Sequence, residues 1–490
     1  MSERYLTILE VSQKQAYIFQ SNELKKNILN SAVIAWIMDA DYLEETAGDK
    51  KLFNKEDNLV YSGGGHTVLE FPTQNQAVCF TKKITKAIRE NYPGIEVFAR
   101  TILYKDEDSP SKNLKELTKA LEKKKSERRA AFHQGSFGVE KIDTNTLKPI
   151  LYCEEKERQM PEKEKKTDKS LIADGYSCVF WFEDLGGTKD ESNFIAVVHI
   201  DGNAMGKRME RLQHRLENLS WTDYKEKLRA FSESVDGNYK AAYKGMSEYV
   251  ADNIRRGKLS DLDISGNRFP VRRIITAGDD ICFVTEGRIG LECAAVFLDK
   301  LGRQKNKVDE EGYEACAGVA IVHQKYPFYK AYELAEMLCG NAKKYGVTLS
   351  SDGFGSDVSA IDWHVEFGET KDTLEEIRAD YLDTEGSSIT GRPYIVRASQ
   401  SVIDAEPTHD YQVVHKLIQK LQEKESCASG MIKELRNIFK QGQKETEYFI
   451  KFHKIDELIK WDLNKDSKVL FDAIELVDTF IALDDKEESN

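Results

Sequence analysis

Two adjacent aspartates, Asp279 and Asp280, interrupt the apolar run RIITAGDDICFV (273–284). Side-by-side carboxylates repel, and each resists leaving water. At a hairpin tip such a pair is either a solvated turn, since aspartate caps turns and glycine supplies positive φ, or a cation site. A third carboxylate bears on the choice. The run NFIAVVHIDG (193–202) closes on Asp201. In a βαββαβ sheet the first strand lies antiparallel beside the third, so its carboxyl end neighbours the hairpin turn. That topology predicts Asp201 beside Asp279 and Asp280. Oxygen-only ligands suit the hard cations Mg²⁺ or Mn²⁺, and a pair of such ions can activate a hydroxyl and stabilise a leaving oxygen in nucleotidyl transfer. Asp201, Asp279 and Asp280 are therefore the candidate catalytic residues, and with Gly202 the candidate metal ligands.

Nucleotide contacts are sought around the same segments. After Asp201 the small residues of GNAMG lead into a helical pattern, so backbone N–H groups of Asn203, Ala204, Met205 and Gly206 can face phosphate; a plain strand-to-helix turn reads equally well. Ala277 and Gly278 precede the acidic pair. Lys343, preferred over Lys344, can neutralise phosphate, although a lysine near a helix end also complements the helix dipole. Upstream, YSGGGH (61–66) is a second glycine-bearing tip. Ser62, Gly63, Gly64, Gly65 and His66 can cradle a base or phosphate of a second nucleotide, or form a tight turn with an exposed histidine. Turn alignment sets Gly65 against Asp279 and His66 against Asp280, so this tip lacks a carboxylate pair and is not expected to hold the same metals. The basic stretch KALEKKKSERRAAFH (119–133) reads as a solvated face, with RNA binding the lesser alternative. His364 and His409 show no metal spacing and read as structural. No nucleophile elbow, Walker A loop or HExxH motif is present.

The elements that must position these residues repeat. A strand at 5–11, a helical segment at 22–45, a hairpin at 59–71, a helix at 74–91, a strand at 94–104 and a helix near 112–132 give βαββαβ with one extra helix. The order returns as a strand at 193–202, helical material over 203–257, a hairpin at 269–286, a helix at 288–304, a strand at 313–323 and a helix at 327–345. This is a tandem duplication of a ferredoxin-like unit. The predicted class is α+β: a first unit over 1–150, a charged linker or insert over 151–192, a second unit over 193–365, and a mainly α-helical domain over 366–490. Within the linker, residues 153–170 are charge-dense and read as solvated.

Bulk properties narrow the class. The 490 residues exceed one core, and a formal charge of −13 argues against a uniformly basic nucleic-acid wrapper. Eight cysteines form no CxxC pair, so a thiolate zinc ribbon is not expected. Several of them, Cys79, Cys282 and Cys316 among them, lie in apolar runs and read as small buried hydrophobes. No apolar stretch approaches the ~20 residues that span a bilayer, and the first residues lack signal-peptide character, so no membrane partner and a cytoplasmic location are expected.

The motifs HIDGNAMG, FPVRRIITAGDDICFV and CAGVAIVHQKYPFYKAYELAEMLCGNAK resemble the second palm of the polymerase-cyclase subunit of type III CRISPR effectors. QAYIFQSNELKKNILNSAVIAWI and YSGGGHTVLEF resemble the first palm of that family. The resemblance implies two facing palm domains that convert ATP, or other NTPs, to cyclic or linear oligoadenylate messengers in antiviral defence. It places the metal site at a GGDD turn, here Ala277, Gly278, Asp279 and Asp280, together with Asp201. The family's HD-type nuclease and four-cysteine zinc module have no counterpart, and a stand-alone synthase fits the shortened architecture. Implied partners are RNA or CRISPR effector subunits, a second copy of the chain, and a downstream effector that senses the product. Two rival readings are a non-catalytic palm scaffold that binds RNA, and a guanylate-type cyclase of the GGDEF kind.

Overall fold

The computed structural model describes residues 3–63, 65–127, 139, 141–142, 159–187, 193–368, 371–423, 429–459 and 467–484. Gly64 and part of the basic 119–133 stretch, including Arg128 and Arg129, lie outside the described residues, as do Cys153 and Cys427.

The first sheet contains β1 (Tyr5–Ser12), β2 (Leu59–Gly63), β3 (His66–Phe71) and β4 (Glu96–Leu103). Their order is β2-β3-β1-β4, with every neighbouring pair antiparallel. The second sheet contains β5 (Phe194–Gly202), β6 (Val271–Ala277), β7 (Asp280–Glu286) and β8 (Ala315–His323), ordered β6-β7-β5-β8. Both sheets thus have the ferredoxin-like order, and the duplication is real in its topology. The second sheet continues through β9 (Ser359–Val365), parallel to β8, and β10 (Tyr394–Arg397), antiparallel to β9. The last strand comes from the stretch expected to be helical. Four residues, YIVR, are too few for a two-residue period to stand out among helical neighbours.

Strands β5 and β8 are buried along nearly their whole length, which explains their continuous apolar runs. The helix Gln74–Asn91 shows the opposite pattern. Ala77, Phe80, Ile84 and Ile88 form its buried stripe, and Thr73 caps it by accepting a hydrogen bond from Gln76 N at 3.2 Å. Cys79 falls off that stripe and is exposed, contrary to its reading as a buried hydrophobe. Cys282, Cys293, Cys316 and Cys339 are buried and free. The segment expected as one helix over 22–45 is two, Leu24–Ile37 and Ala40–Ala47. Asp39 starts the second by accepting from Asp41 N at 2.9 Å.

The charge-dense stretch is not simply solvated. Its described part forms the helix Glu162–Leu171, and Asp168, only 6% exposed, accepts from Arg272 Nη2 at 2.6 Å and Arg273 Nε at 2.7 Å. Those arginines are the polar residues of FPVRRIIT, so a stretch that looks solvated by itself is buried against charges of the hairpin. A second buried ion cluster fixes the C-terminal helices. Arg392, fully enclosed, pairs with Asp472 at 3.1 Å and Glu475 at 2.9 Å of the helix Ser467–Leu476, and donates to Trp363 O of β9 at 3.0 Å. Tyr381 links His364 (3.1 Å) to Glu475 (2.7 Å) in the same cluster, which gives that histidine its structural place.

The two sheet units touch through a few specific contacts. Phe19 stacks on Tyr332 with centroids 4.0 Å apart, and Asn22 Oδ1 accepts from Phe328 N at 3.0 Å. The long helix Trp221–Arg255 reaches back to the first sheet: Trp221 Nε1 donates to Glu70 at 2.8 Å, and Ser232 Oγ donates to Ser62 O at 2.9 Å.

This burial pattern predicts native-state thiol labelling. Cys79 is expected to react with maleimide in the folded protein, while peptides carrying Cys282, Cys293, Cys316 and Cys339 label only after denaturation. Peptide mapping by mass spectrometry checks it; fast labelling of the β-strand cysteines contradicts this core.

Candidate metal and nucleotide site

Register brings the acidic residues together. In the β5–β7 ladder Asp201 faces Asp280, and Gly202 N donates to Asp279 O at 3.2 Å. Ala277 pairs with Asp280, so Gly278 and Asp279 form a two-residue hairpin connection. Gly278 has φ +67°, as the first position of a II′-type connection requires, whereas Ala277 is not among the residues with positive φ. Alanine at that place therefore carries no backbone strain. Gly202 must stay small: a Cβ there would lie 2.5 Å from the Tyr239 hydroxyl and 2.9 Å from Asp279 Cβ.

The charges crowd in partial burial. Desolvation and the field of Asp201 push Asp279 up to about 6 and Asp280 up to about 7. Lys343 Nζ lies 2.6 Å from Asp201 Oδ2 and donates to Gly202 O at 2.8 Å. Burial works against its charge, yet Asp201 holds its pKa above the usual lysine value. Asp280 is 29% exposed, but its Oδ1 is buried without a hydrogen-bond partner. That oxygen faces His199 Nδ1 at 3.7 Å, too far for a hydrogen bond, and this nitrogen is also unpartnered. Burial lowers the pKa of His199, so the ring is a weak counter-ion. Glu336, seven residues before Lys343 on the helix Phe328–Leu349, has its pKa raised by burial and by the fields of Asp280 and Asp201.

The donor chemistry fits a hard divalent cation. Three carboxylates and the Gly202 carbonyl offer only oxygen, and Asp280 Oδ1 is buried without a hydrogen-bond partner. Among the described residues no three His, Cys, Asp or Glu side chains form a preformed metal cage. The aspartates share an edge without closing on a common point, and the Lys343 ammonium occupies Asp201.

Other predicted residues are placed differently. Asn203 turns its amide to the carbonyls of Gly355 (3.0 Å) and Val358 (2.8 Å), so its side chain anchors a loop. Ala204 has φ +53° and enters the helix Met205–Arg215, with Gly206 in its first turn. Asn203, Ala204 and Met205 line a cleft of about 410 Å³ with Arg208, Arg211 and Arg397, beyond the acidic edge. In the first sheet Ser62 Oγ lies 3.0 Å from Thr67 Oγ1 and donates to Met38 O at 3.3 Å, so it too is held structurally. His66 is partly buried against Tyr61, with Nε2 3.4 Å from the phenol oxygen, and burial lowers its pKa. It is not the exposed turn histidine. Gly63 and Gly65 are close-packed: a Cβ would meet Ser232 Oγ at 2.9 Å and Lys14 Cδ at 2.6 Å, respectively.

Three nearby groups add to those singled out in the sequence. His199 shares the strand face of Asp201 two residues away, and Glu336 shares the helix face of Lys343, so spacing alone could have found both. Lys14, whose field reaches Asp280 from the first sheet unit, has no signal in the sequence.

Residues 194–348 match the family model described as Cas10/Cmr2, second palm domain. This segment is therefore similar to a Cas10/Cmr2 second palm domain, over about a third of the chain. No curated protein matches the chain. Among solved structures, a Csm1-Csm4 cassette in complex with cA3 superposes with a TM-score of 0.56 at 12% identity, covering 98% of this chain and 70% of that one. Csm1 in T.onnurineus gives 0.55 at 14%, covering 97% and 70%, and a Csm1-Csm4 cassette with pppApApA gives 0.55 at 13%, covering 97% and 69%. At these identities the similarity establishes a shared fold. Among the described residues no helix is long and apolar enough to cross a membrane.

The raised carboxyl pKa values predict a pH-dependent stability. Folded Asp279 and Asp280 bind protons more readily than the unfolded chain, so the metal-free protein loses stability as pH rises from about 4 through 7. Asp280→Asn is expected to flatten that loss, by on the order of 1–2 kcal/mol at pH 8. Mn²⁺ should raise the melting temperature of the wild type more at pH 8 than at pH 5, and hardly at all in the variant. Thermal unfolding with and without Mn²⁺ checks both; a wild type indifferent to Mn²⁺ contradicts the cation assignment.

Proposed function

We propose that the chain is a nucleotidyltransferase that joins ATP, or related NTPs, into cyclic or linear oligoadenylate-type products. The observation that carries the reading is the juxtaposition of Asp201 with Asp280, with Asp279 at the adjoining tip and a buried, unpartnered carboxylate oxygen between. The Csm1-Csm4 cassettes of similar fold, in complex with cA3, cA4 and pppApApA, support it.

In this reading a ribose hydroxyl of one nucleotide attacks the α-phosphorus of another, forming a phosphodiester and releasing pyrophosphate and a proton. Asp201, Asp279, Asp280 and the Gly202 carbonyl are the residues that would hold Mg²⁺ or Mn²⁺. Such cations, when bound, neutralise phosphate charge and acidify the attacking hydroxyl. The chain itself supplies positioning. The β5–β7 register sets the carboxylates side by side, and Gly278 and Gly202 permit the close backbone approach. Lys343 holds Asp201 until phosphate or cation competes for it. The glycine tip of the first sheet receives the second nucleotide through backbone rather than side-chain groups, since Ser62 is otherwise engaged. A Csm4-type subunit is the partner suggested by the cassettes with similar folds.

The test is incubation with ATP and Mg²⁺ or Mn²⁺, with and without RNA, and product identification by mass spectrometry. The double variant Asp279→Ala/Asp280→Ala is expected to lose at least about a hundredfold in product. Undiminished product in that variant would sink the assignment. Tight RNA or subunit binding without turnover under any metal would favour the scaffold reading instead.

A further inference from the structure

Lys14 lies at the start of the short helix Lys14–Ile18, where the chain turns out of β1. Gln13, at φ 51° and ψ 41°, makes that turn. The turn lays the lysine over the glycine tip of the first sheet. Gly65 has φ +79°, and a Cβ built on it would lie 2.6 Å from Lys14 Cδ and 2.7 Å from Nζ. Only glycine leaves room for the ammonium there. Val11 N donates to Gly65 O at 3.2 Å, which pins the tip against the end of β1.

The charge of the same ammonium reaches across to the second sheet. It acts on His66 at one tip and on Asp280 at the other. Lys14 therefore packs on the glycine tip, and the acidic tip lies within reach of its charge. Its position is held by packing on the helix that carries Lys343: Phe19 stacks on Tyr332, and Asn22 accepts from Phe328 N. Two lysines, one from each sheet unit, thus flank the acidic edge. Lys343 grips Asp201, and the charge of Lys14 bears on Asp280.

A polyphosphate approaching three aspartates is repelled unless fixed positive charge is nearby. An ammonium on a flexible stem binds phosphate as a point charge. We propose that Lys14 binds the phosphates of a nucleoside triphosphate lodged between Gly63, Gly65 and His66 on one side and Asp279 and Asp280 on the other. The assignment rests on the nucleotidyl-transfer reading above, and it makes the first sheet unit a direct contributor to the site of the second.

The experiment titrates ATP and adenosine separately into the full chain in the presence of Mg²⁺, comparing wild type, Lys14→Gln and Lys14→Arg. Lys14→Gln is expected to weaken ATP binding about tenfold and to leave adenosine binding unchanged, while Lys14→Arg stays within about threefold of wild type. Wild-type ATP affinity in Lys14→Gln, or an equal loss of ATP and adenosine, overturns the assignment. Product formation by the wild type separates the two readings. If the wild type makes product and Lys14→Gln binds ATP normally, only the Lys14 assignment fails. ATP binding that depends on Lys14 without any product supports Lys14 and counts against nucleotidyl transfer. A wild type that binds no ATP overturns both.

Discussion

Like charges held in register are the constraint around which this molecule is organised. The antiparallel ladder of β5 and β7 sets Asp201 against Asp280, and a two-residue turn adds Asp279. Neither strand can slip without exposing a buried apolar face, so the repulsion cannot relax by a change of register. It is relieved by partial neutralisation instead. Two carboxyls have raised pKa values, Lys343 holds Asp201, and one oxygen of Asp280 has no hydrogen-bond partner. A cluster of carboxylates left only partly compensated in this way suits a cation.

The rest of the fold serves to keep that edge stiff. Buried ion clusters dock outlying helices onto the second sheet, Asp168 with Arg272 and Arg273 on one side and Arg392 with Asp472 and Glu475 on the other. Breaking either cluster would strand a buried charge, which costs far more than an exposed pair is worth. The first sheet is joined to this frame through Phe19 and Asn22 and through the long helix Trp221–Arg255. Those contacts set how the glycine tip and Lys14 approach the acidic tip.

Much of this architecture is legible in the amino-acid order itself. Apolar runs closing on Asp201 and flanking Asp279–Asp280 identify strands, and ferredoxin-like order then dictates which ends meet. Local pattern fails where partners are remote. The helix Glu162–Leu171 looks solvated because its counter-charges lie more than a hundred residues downstream. Strand β10 is too short to carry a period, and Cys79 sits in an apolar run yet misses the buried stripe. Ser62 and Asn203 have side chains suited to nucleotide contacts, but both satisfy neighbouring backbone carbonyls. Lys14 is invisible in sequence because its role arises only where two sheet units meet.

The central claim is that the crowded edge is a divalent-cation site that assembles with nucleotide. Electron paramagnetic resonance of Mn²⁺, titrated into the protein with a non-hydrolysable ATP analogue, tests it most directly. The account predicts protein-bound Mn²⁺ that is saturable, strengthened by nucleotide, and lost on Asp201→Asn or Asp280→Asn. Bound Mn²⁺ that is indifferent to both substitutions, or no bound Mn²⁺ at all, would contradict it.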